Sequence, residues 1–231
     1  MTRILTTFLF MLAAAGLGAA PASAALLHQF SFDNSTSDPT GGFTATLNGG
    51  AAVSASGLVL NGTSGYAQLS GYAIPASNFS ITFDAIIAAY NNAYTEIISQ
   101  GSSGGPGFYI GFDNSGHIRL GDQFGSIAAA IPSLNAVHSY ELISNSGAGT
   151  QFLIDGTQVF SSATAMSGQQ SGTATRVGAQ FASYGEYFDG TVSNLSIYSG
   201  LPAPAVPEPA SWGVLLAGLG VLLVRRRAAR G

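Results

Sequence analysis

The side chains able to move protons near neutral pH are His28, His117 and His138, and none belongs to a recognisable constellation. No His-x-x-x-His or His-x-Glu pair occurs, so a zinc site has no ligand set. Serines are numerous, yet none lies in a Gly-x-Ser-x-Gly elbow, the turn that holds a nucleophile exposed above a sheet. Cysteine is absent, which removes thiol catalysis and zinc–thiolate chemistry. Each histidine reads as a strand-surface or sheet-edge residue. Retaining cleavage of a glycosidic bond needs two carboxyls about 5 Å apart. Glu96 and Glu141 each stand alone in the sequence. Glu186 and Asp189 are close together, but beside Gly190 in what reads as a loop before the last strand. The expectation is a domain with no catalytic residue. Tyr66, Tyr72, Tyr90, Tyr94, Tyr184 and Tyr187 lie in or near loops, where such rings either stack on sugars or fill sheet edges.

The charge pattern narrows the ligand classes. Between residues 25 and 200 only Arg119 and Arg176 are basic, lysine is absent, and ten carboxylates oppose them. That surface repels a phosphate backbone, so nucleic acid is excluded as a partner. Cations, neutral polymers and sugars fit it. Without disulfides the domain must rely on its core, and a stretch of this length buries roughly 70% of its unfolded surface.

From Ala25 to Gly200 the dominant hydrophobic period is two. Phe79, Ile81, Phe83, Ala85 and Ile87 alternate with Ser80, Thr82 and Asp84, and Phe108, Ile110 and Phe112 with Tyr109 and Gly111. His138, Tyr140 and Leu142 follow the same rule, and Thr191, Ser193, Leu195 and Ile197 follow it less cleanly. Asp113-Asn114-Ser115-Gly116 and Asp155-Gly156 separate such runs and predict hairpins. No dozen-residue window keeps a helical period. Short strands with frequent turns predict an all-β, two-sheet antiparallel jelly-roll sandwich.

Both ends depart from this pattern. Residues 1–24 read as a secretory signal peptide. Arg3 supplies the positive start, Ile4 to Leu17 the apolar segment, and Ala22-Ser23-Ala24 the cleavage site; a retained membrane anchor is the alternative. Residues 201–209 carry a proline at nearly every second position and form an extended linker. The apolar run Ala210 to Val224 would span roughly 22 Å as a helix, short of a ~30 Å hydrocarbon core. Arg225, Arg226 and Arg227 then form a basic stop that stays cytoplasmic, so the acidic domain faces outward. A short span of this kind fits a handover step; a plain single-pass anchor is the alternative.

The tail resembles the PEP-CTERM sorting signal of Gram-negative bacteria. Val206, Pro207, Glu208 and Pro209 give the motif, Trp212 to Val224 the apolar segment, and Arg225 to Arg227 the basic stop. The resemblance places a sorting tail at residues 206–231. It implies recognition by an exosortase-type membrane protease after passage through the secretion machinery. It also implies transient membrane anchoring, then release to the cell surface or an exopolysaccharide-rich matrix.

The middle, residues 25–200, resembles the laminin-G-like, concanavalin A-type jelly roll. Leu27 to Asn34 is similar to its opening strand, and Leu58 to Ala67 to a hairpin with Gly62 and Tyr66. Phe79 to Phe83 is similar to a core strand, Phe152 to Gly156 to an Asp-Gly hairpin, and Phe188 to Tyr198 to the closing strand. The resemblance implies two sheets of six or seven strands each and a glycan- or matrix-binding role. It also implies a calcium site, for which Asp33 and Asp38 match the loop after the first strand. Ser193-Asn194 stands where an acidic pair is expected, leaving Asn194 as the third candidate ligand. The expected function is thus an exported, sorted, non-catalytic binding protein. A carbohydrate-active enzyme of the same fold and a purely structural coat protein are the alternatives.

Overall fold

The computed structural model of the chain describes residues 24–102, 107–127, 131–181 and 185–200. The signal segment through Ser23, the linker at 201–209 and the sorting tail at 206–231 lie outside the described residues, and so do the two flanking helices expected there. Among the described residues no helix is long and apolar enough to cross a membrane.

In chain order the first strands are β1 (Ala25–Phe30), β2 (Ala45–Asn48), β3 (Ala52–Ser54), β4 (Gly57–Asn61), β5 (Tyr66–Leu69), β6 (Phe79–Ala89), β7 (Tyr94–Gly101) and β8 (Phe108–Asp113). There follow β9 (Ile118–Leu120), a single helical turn α1 (Gly121–Phe124), β10 (Ser126–Ile127), β11 (Val137–Asn145), β12 (Gly149–Ile154), β13 (Thr157–Ser162), β14 (Thr173–Val177) and β15 (Asp189–Ser199). They build two antiparallel sheets. One is eight-stranded in the order β13-β12-β11-β6-β15-β4-β3, with β1 also on β15; the other is seven-stranded in the order β10-β9-β8-β7-β14-β5-β2. The eighth strand fits because β15 is long. It pairs with β4 along Asp189–Val192 and with β1 along Leu195–Ser199.

The period-two residues form the interior. Phe79, Ile81, Phe83, Ala85 and Ile87 of β6, and Phe108, Ile110 and Phe112 of β8, are all buried. Phe79 meets Phe108 edge-on across the sandwich, with ring centroids 5.7 Å apart. Each such phenylalanine contributes about 1.5–3 kcal/mol through burial alone. The hairpins at Asp113–Gly116 and Asp155-Gly156 join β8 to β9 and β12 to β13 as expected. Asp155 and Gly156 both take positive φ, 50° and 73°, as a tight two-residue connection requires.

Two expectations need correction. The stretch Leu58–Ala67 is not a hairpin. It crosses from one sheet to the other, since β4 pairs with β3 and β15 whereas β5 pairs with β2 and β14. Asn61 builds the corner: its Oδ1 accepts from the N–H groups of Thr63, Ser64 and Gly65, and its Nδ2 donates to the Gly49 carbonyl. Leu60 and Ala67 thereby enter the core from opposite sheets. In β15 the buried large apolar residues are Val192, Leu195 and Ile197, not an unbroken alternation from Thr191. A bulge between Ser193 and Ser196, with Asn194 at φ 53°, shifts the phase.

Candidate ligand-binding face of the seven-stranded sheet

One irregularity sets up the outward face of the seven-stranded sheet. In β7 both Ile97 and Ile98 turn into the core, because the register with β8 slips between Glu96 and Ile98. The slip leaves Glu96 and Ser99, three residues apart, on the same outer face. Two rows of side chains result. Ser126, Arg119, Gly111 and Glu96 lie side by side across β10, β9, β8 and β7. Tyr109, Ser99, Arg176, Gln68 and Thr46 form the next row across β8, β7, β14, β5 and β2.

Arg119 is the centre of the first row. Its Nη1 donates to Glu96 Oε1 at 2.9 Å and its Nη2 to the Tyr109 hydroxyl at 3.0 Å. The Tyr109 hydroxyl in turn donates to Asp122 Oδ1 at 3.1 Å. The guanidinium carbon sits 3.9 Å from the Tyr94 ring centre and 4.8 Å from that of Tyr109. Glu186 enters from the segment before β15, its Oε2 lying 3.6 Å from Arg119 Nη1. That segment is tied down by its backbone: Glu96 N–H donates to Glu186 O, and Phe188 N–H to Gly178 O. Asn92 Nδ2 donates to the carbonyls of Gly62 and Tyr187.

Two carboxyls thus share one guanidinium. Burial pushes the Glu96 carboxyl well above its ordinary value, hydrogen bonding and repulsion from Glu186 push it further, and Arg119 opposes them. Each carboxyl has one buried oxygen, Oε2, with no other hydrogen-bond partner. A proton held on Glu96 and directed at Glu186 satisfies both. Burial likewise pushes the Tyr109 phenol up.

A second aromatic–arginine cluster lies along the other row. Arg176 stands over the Tyr66 ring at 4.6 Å, donates from Nε to Gln68 Oε1 and from Nη1 to the Gln180 carbonyl. Tyr187 stacks on Tyr66 with centroids 6.4 Å apart. Glu96, Ser99, Tyr109, Gly111 and Arg119 are buried, Tyr66, Gln68, Arg176 and Tyr187 are half-buried, and Tyr94 is 45% exposed. The arrangement offers ring faces backed by fixed cations, interleaved with amide and carboxyl groups. It suits an uncharged, hydroxyl-rich ligand that stacks and hydrogen-bonds.

Tyr66, Tyr94 and Tyr187 therefore belong to one face. Tyr72 instead donates to the Gly172 carbonyl, and Tyr90 packs on Phe112 and donates to the Pro132 carbonyl. Tyr184 lies outside the described residues. Glu96 does not stand alone, as the sequence implied; it meets Glu186, a residue ninety positions away that Asp189 was expected to accompany. Asp189 instead accepts from Asn91. One signal for this cluster was present: Arg119, one of two basic residues in the domain, lies between Ile118 and Leu120 and so needs an acidic partner on a covered face.

The three calcium candidates are placed as follows. Asp38 is buried, with Oδ1 accepting from the N–H groups of Gln29, Thr40 and Gly41 and Oδ2 bound to His28 Nδ1 at 2.7 Å. Burial raises its carboxyl, but these hydrogen bonds outweigh that and hold it below the ordinary range. Asp33 is exposed and accepts from the Asn34 amide. Asn194 donates from its side chain to Asp84 on the outer face of the eight-stranded sheet. Among the described residues no group of three or more His, Cys, Asp or Glu side chains is gathered for a metal. His28 serves Asp38, and His117 bonds Asp113 within the β8–β9 hairpin.

Comparison with known families decides the fold's kinship. A laminin-G-type model of the concanavalin A-like lectin/glucanases superfamily matches residues 61–205, well over half of the chain. The chain belongs to this superfamily. The curated proteins contain no match to it. Solved structures share the concanavalin-like fold at low identity. Domain 4 of an extracellular arabinanase from Geobacillus stearothermophilus, in complex with arabinotriose, aligns over 77% of this chain and 94% of that one, with TM-score 0.52 and 21% identity. Trypanosoma rangeli sialidase in complex with sialic acid aligns over 77% of this chain but 31% of its own, with TM-score 0.59 and 15% identity. The binding domain of botulinum neurotoxin serotype D aligns over 76% and 48%, with TM-score 0.55 and 13% identity. These concanavalin-like neighbours speak for the architecture, two antiparallel sheets packed as a sandwich.

Proposed function

We propose that this concanavalin-like domain is a glycan-binding module that holds its ligand on the outward face of the seven-stranded sheet without cleaving glycosidic bonds. The observation that carries this reading is the exposed Tyr94 ring lying on Arg119, a cation that Glu96 and Tyr109 hold in place. A ring fixed in this way stacks on a sugar at little entropic cost. The acidic balance of the domain favours a neutral glycan over a polyanion. The pair Glu96 and Glu186 belongs to the support rather than to cleavage: Glu96 is wholly buried beneath Arg119 and cannot reach a glycosidic oxygen. The lectin branch of the superfamily and the arabinotriose held by the arabinanase domain support a sugar ligand.

The domain acts outside the cell in this reading. Residues 1–24 direct export, and Val206 to Pro209 with Arg225 to Arg227 direct exosortase-type sorting to the surface or an exopolysaccharide matrix. A neutral-glycan array, followed by titration calorimetry on the best binder, tests the binding. Tyr94→Ala should weaken affinity about tenfold, in line with the 1–2 kcal/mol of one stacked ring, with an unchanged melting temperature. Well-folded protein with no binder on the array would leave the domain a structural coat element.

A further inference from the structure

The eight-stranded sheet carries a second constellation, on elements unrelated to the glycan-binding face. Ser133 Oγ lies 2.9 Å from His138 Nε2, and His138 Nδ1 lies 2.7 Å from Asp155 Oδ2. We propose that Ser133, His138 and Asp155 form a nucleophile–base–orienter triad that hydrolyses carboxylic esters of short acyl chains. The triad goes beyond the binding function and does not depend on it.

The local fold positions each member. His138 is the second residue of β11, and Asp155 opens the turn between β12 and β13, directly beside it. One backbone bond and one side-chain bond fix that turn: Asp155 N–H donates to Ser139 O, and Ser139 N–H donates to Asp155 Oδ1. Asp155 Oδ2 is left for the imidazole. Since a carboxylate only accepts, Nδ1 of the neutral ring carries the proton and Nε2 presents its lone pair. Ser133 then donates its hydroxyl proton to Nε2, the arrangement a serine nucleophile needs. Ser133 is held from both sides. Pro132 is buried with its carbonyl accepting from the Tyr90 hydroxyl, and Asn135 N–H donates to Ile87 O. The His138 side chain is 16% exposed, and Ser133 is open to solvent.

Beside the triad lies an open cavity of about 420 Å³, lined by Ile131, Pro132, Ile154 and Val159 together with Ser133, His138, Asp155 and Thr157. Its apolar wall is where an acyl chain would rest. Ile131, which lines the cavity, and Leu134 and Val137, close to it in sequence, leave 51%, 43% and 64% of their surface exposed.

The reaction balances with water as the co-reactant. Ser133 Oγ attacks the ester carbonyl carbon as its proton passes to His138 Nε2. The C–O bond to the alcohol breaks, and the alcohol leaves with that proton. Water then attacks the acyl-serine, again giving a proton to Nε2, and the carboxylic acid is released as the proton returns to Ser133. Asp155 keeps the ring in its tautomer and stabilises the imidazolium in both steps.

The full chain is treated with a fluorophosphonate probe and mapped by peptide mass spectrometry, with p-nitrophenyl acetate and butyrate as substrates. The expected result is covalent labelling at Ser133 and turnover that falls at least 100-fold in Ser133→Ala, an exposed substitution that leaves folding intact. His138→Gln and Asp155→Asn should each lower the rate at least tenfold. Absence of label at Ser133, label on another serine alone, or equal turnover by wild type and Ser133→Ala would each overturn the assignment. The three residues would then only tie the β12–β13 turn to β11.

Discussion

Glu96 gives the sharpest test of the seven-stranded face, because two substitutions there should act in opposite ways. Its Oε1 takes a hydrogen bond from Arg119 and its Oε2 faces Glu186, with no exposure to solvent. Burial, and then Glu186, hold its carboxyl above the ordinary value of 4.5. The unfolded chain therefore releases this proton near pH 4.5 while the folded domain keeps it. Above that pH the unfolded state binds fewer protons, so stability falls as pH rises, by at most about 1.4 kcal/mol per pH unit for one group. The stability is fully present below pH 4.5 and is lost upward through the folded value. Glu96→Gln reproduces the protonated form: its carbonyl accepts from Arg119 and its amide donates to Glu186. It should match wild type at pH 4.5 within about 1 kcal/mol and become the more stable protein as pH rises. Glu96→Ala instead removes the acceptor of Arg119 Nη1 while leaving Glu186 beside it, and should cost about 1.5–3 kcal/mol, several degrees in melting temperature for a domain this size. Urea unfolding of the three proteins from pH 4.5 to 8 measures this. Parallel stability curves for wild type and Glu96→Gln would refute the shared proton. A Gln variant as unstable as the Ala variant would refute the hydrogen-bond arrangement itself.

Other outcomes follow from the same geometry. Asp38→Ala removes the acceptor of three backbone N–H groups and of His28 and should cost about 2–4 kcal/mol in urea unfolding. Because Asp38 is held below the ordinary carboxylate range, its stabilisation is present above that range and is lost as pH falls through its folded value. With its oxygens already engaged, EDTA should leave the melting temperature unchanged; a drop reversed by calcium would assign a metal to Asp33, Asp38 and Asn194. Gly111→Ala drives a methyl group into the Thr95 carbonyl, so it should push β8 from β7, destabilise the domain by more than 1 kcal/mol and weaken glycan binding with it. Deleting Val206 to Gly231 should leave the unfolding transition of the domain unchanged and alter only where the protein is found, followed by cell fractionation.

Much of the sandwich was legible because large apolar residues at every second position, as in β6 and β8, have one place to go. The hairpins at Asp113–Gly116 and Asp155-Gly156 were legible for a related reason, since their residues take backbone conformations others avoid. The corner at Asn61-Gly62 carried the same turn chemistry, but local sequence does not say whether a turn returns to its own sheet or crosses to the opposite one. That depends on which sheet needs Leu60 and which needs Ala67. The site was hidden by sequence distance. Glu96 and Glu186 meet only because the segment before β15 is stitched across the end of β7, and Ser133, His138 and Asp155 meet only because β12 lies beside β11. A trace did exist in the adjacent pair Ile97-Ile98: two consecutive core residues in a period-two strand demand a bulge, and a bulge re-aims whatever precedes it.

A strictly alternating strand commits each residue to one face before any chemistry is considered, so polar groups in the regular parts of this sandwich are spaced by the ladder and not by each other. Direct cross-strand partners such as Arg176 and Gln68 bond across the regular ladder; groups that do not lie opposite each other need the ladder to break or end. The domain bears this out at particular residues. Glu96 reaches Arg119 because β7 slips one residue, and Asn194 reaches Asp84 at the bulge of β15. Asp155 reaches His138 from a turn whose φ of 50° an ordinary strand residue does not take. Core substitutions of similar volume should therefore change stability with little effect on either face. Restoring regular alternation in β7, by deleting Ile97, should reverse the face of Glu96 and remove the platform under Tyr94 while the opposite sheet, and the triad on it, keep their geometry.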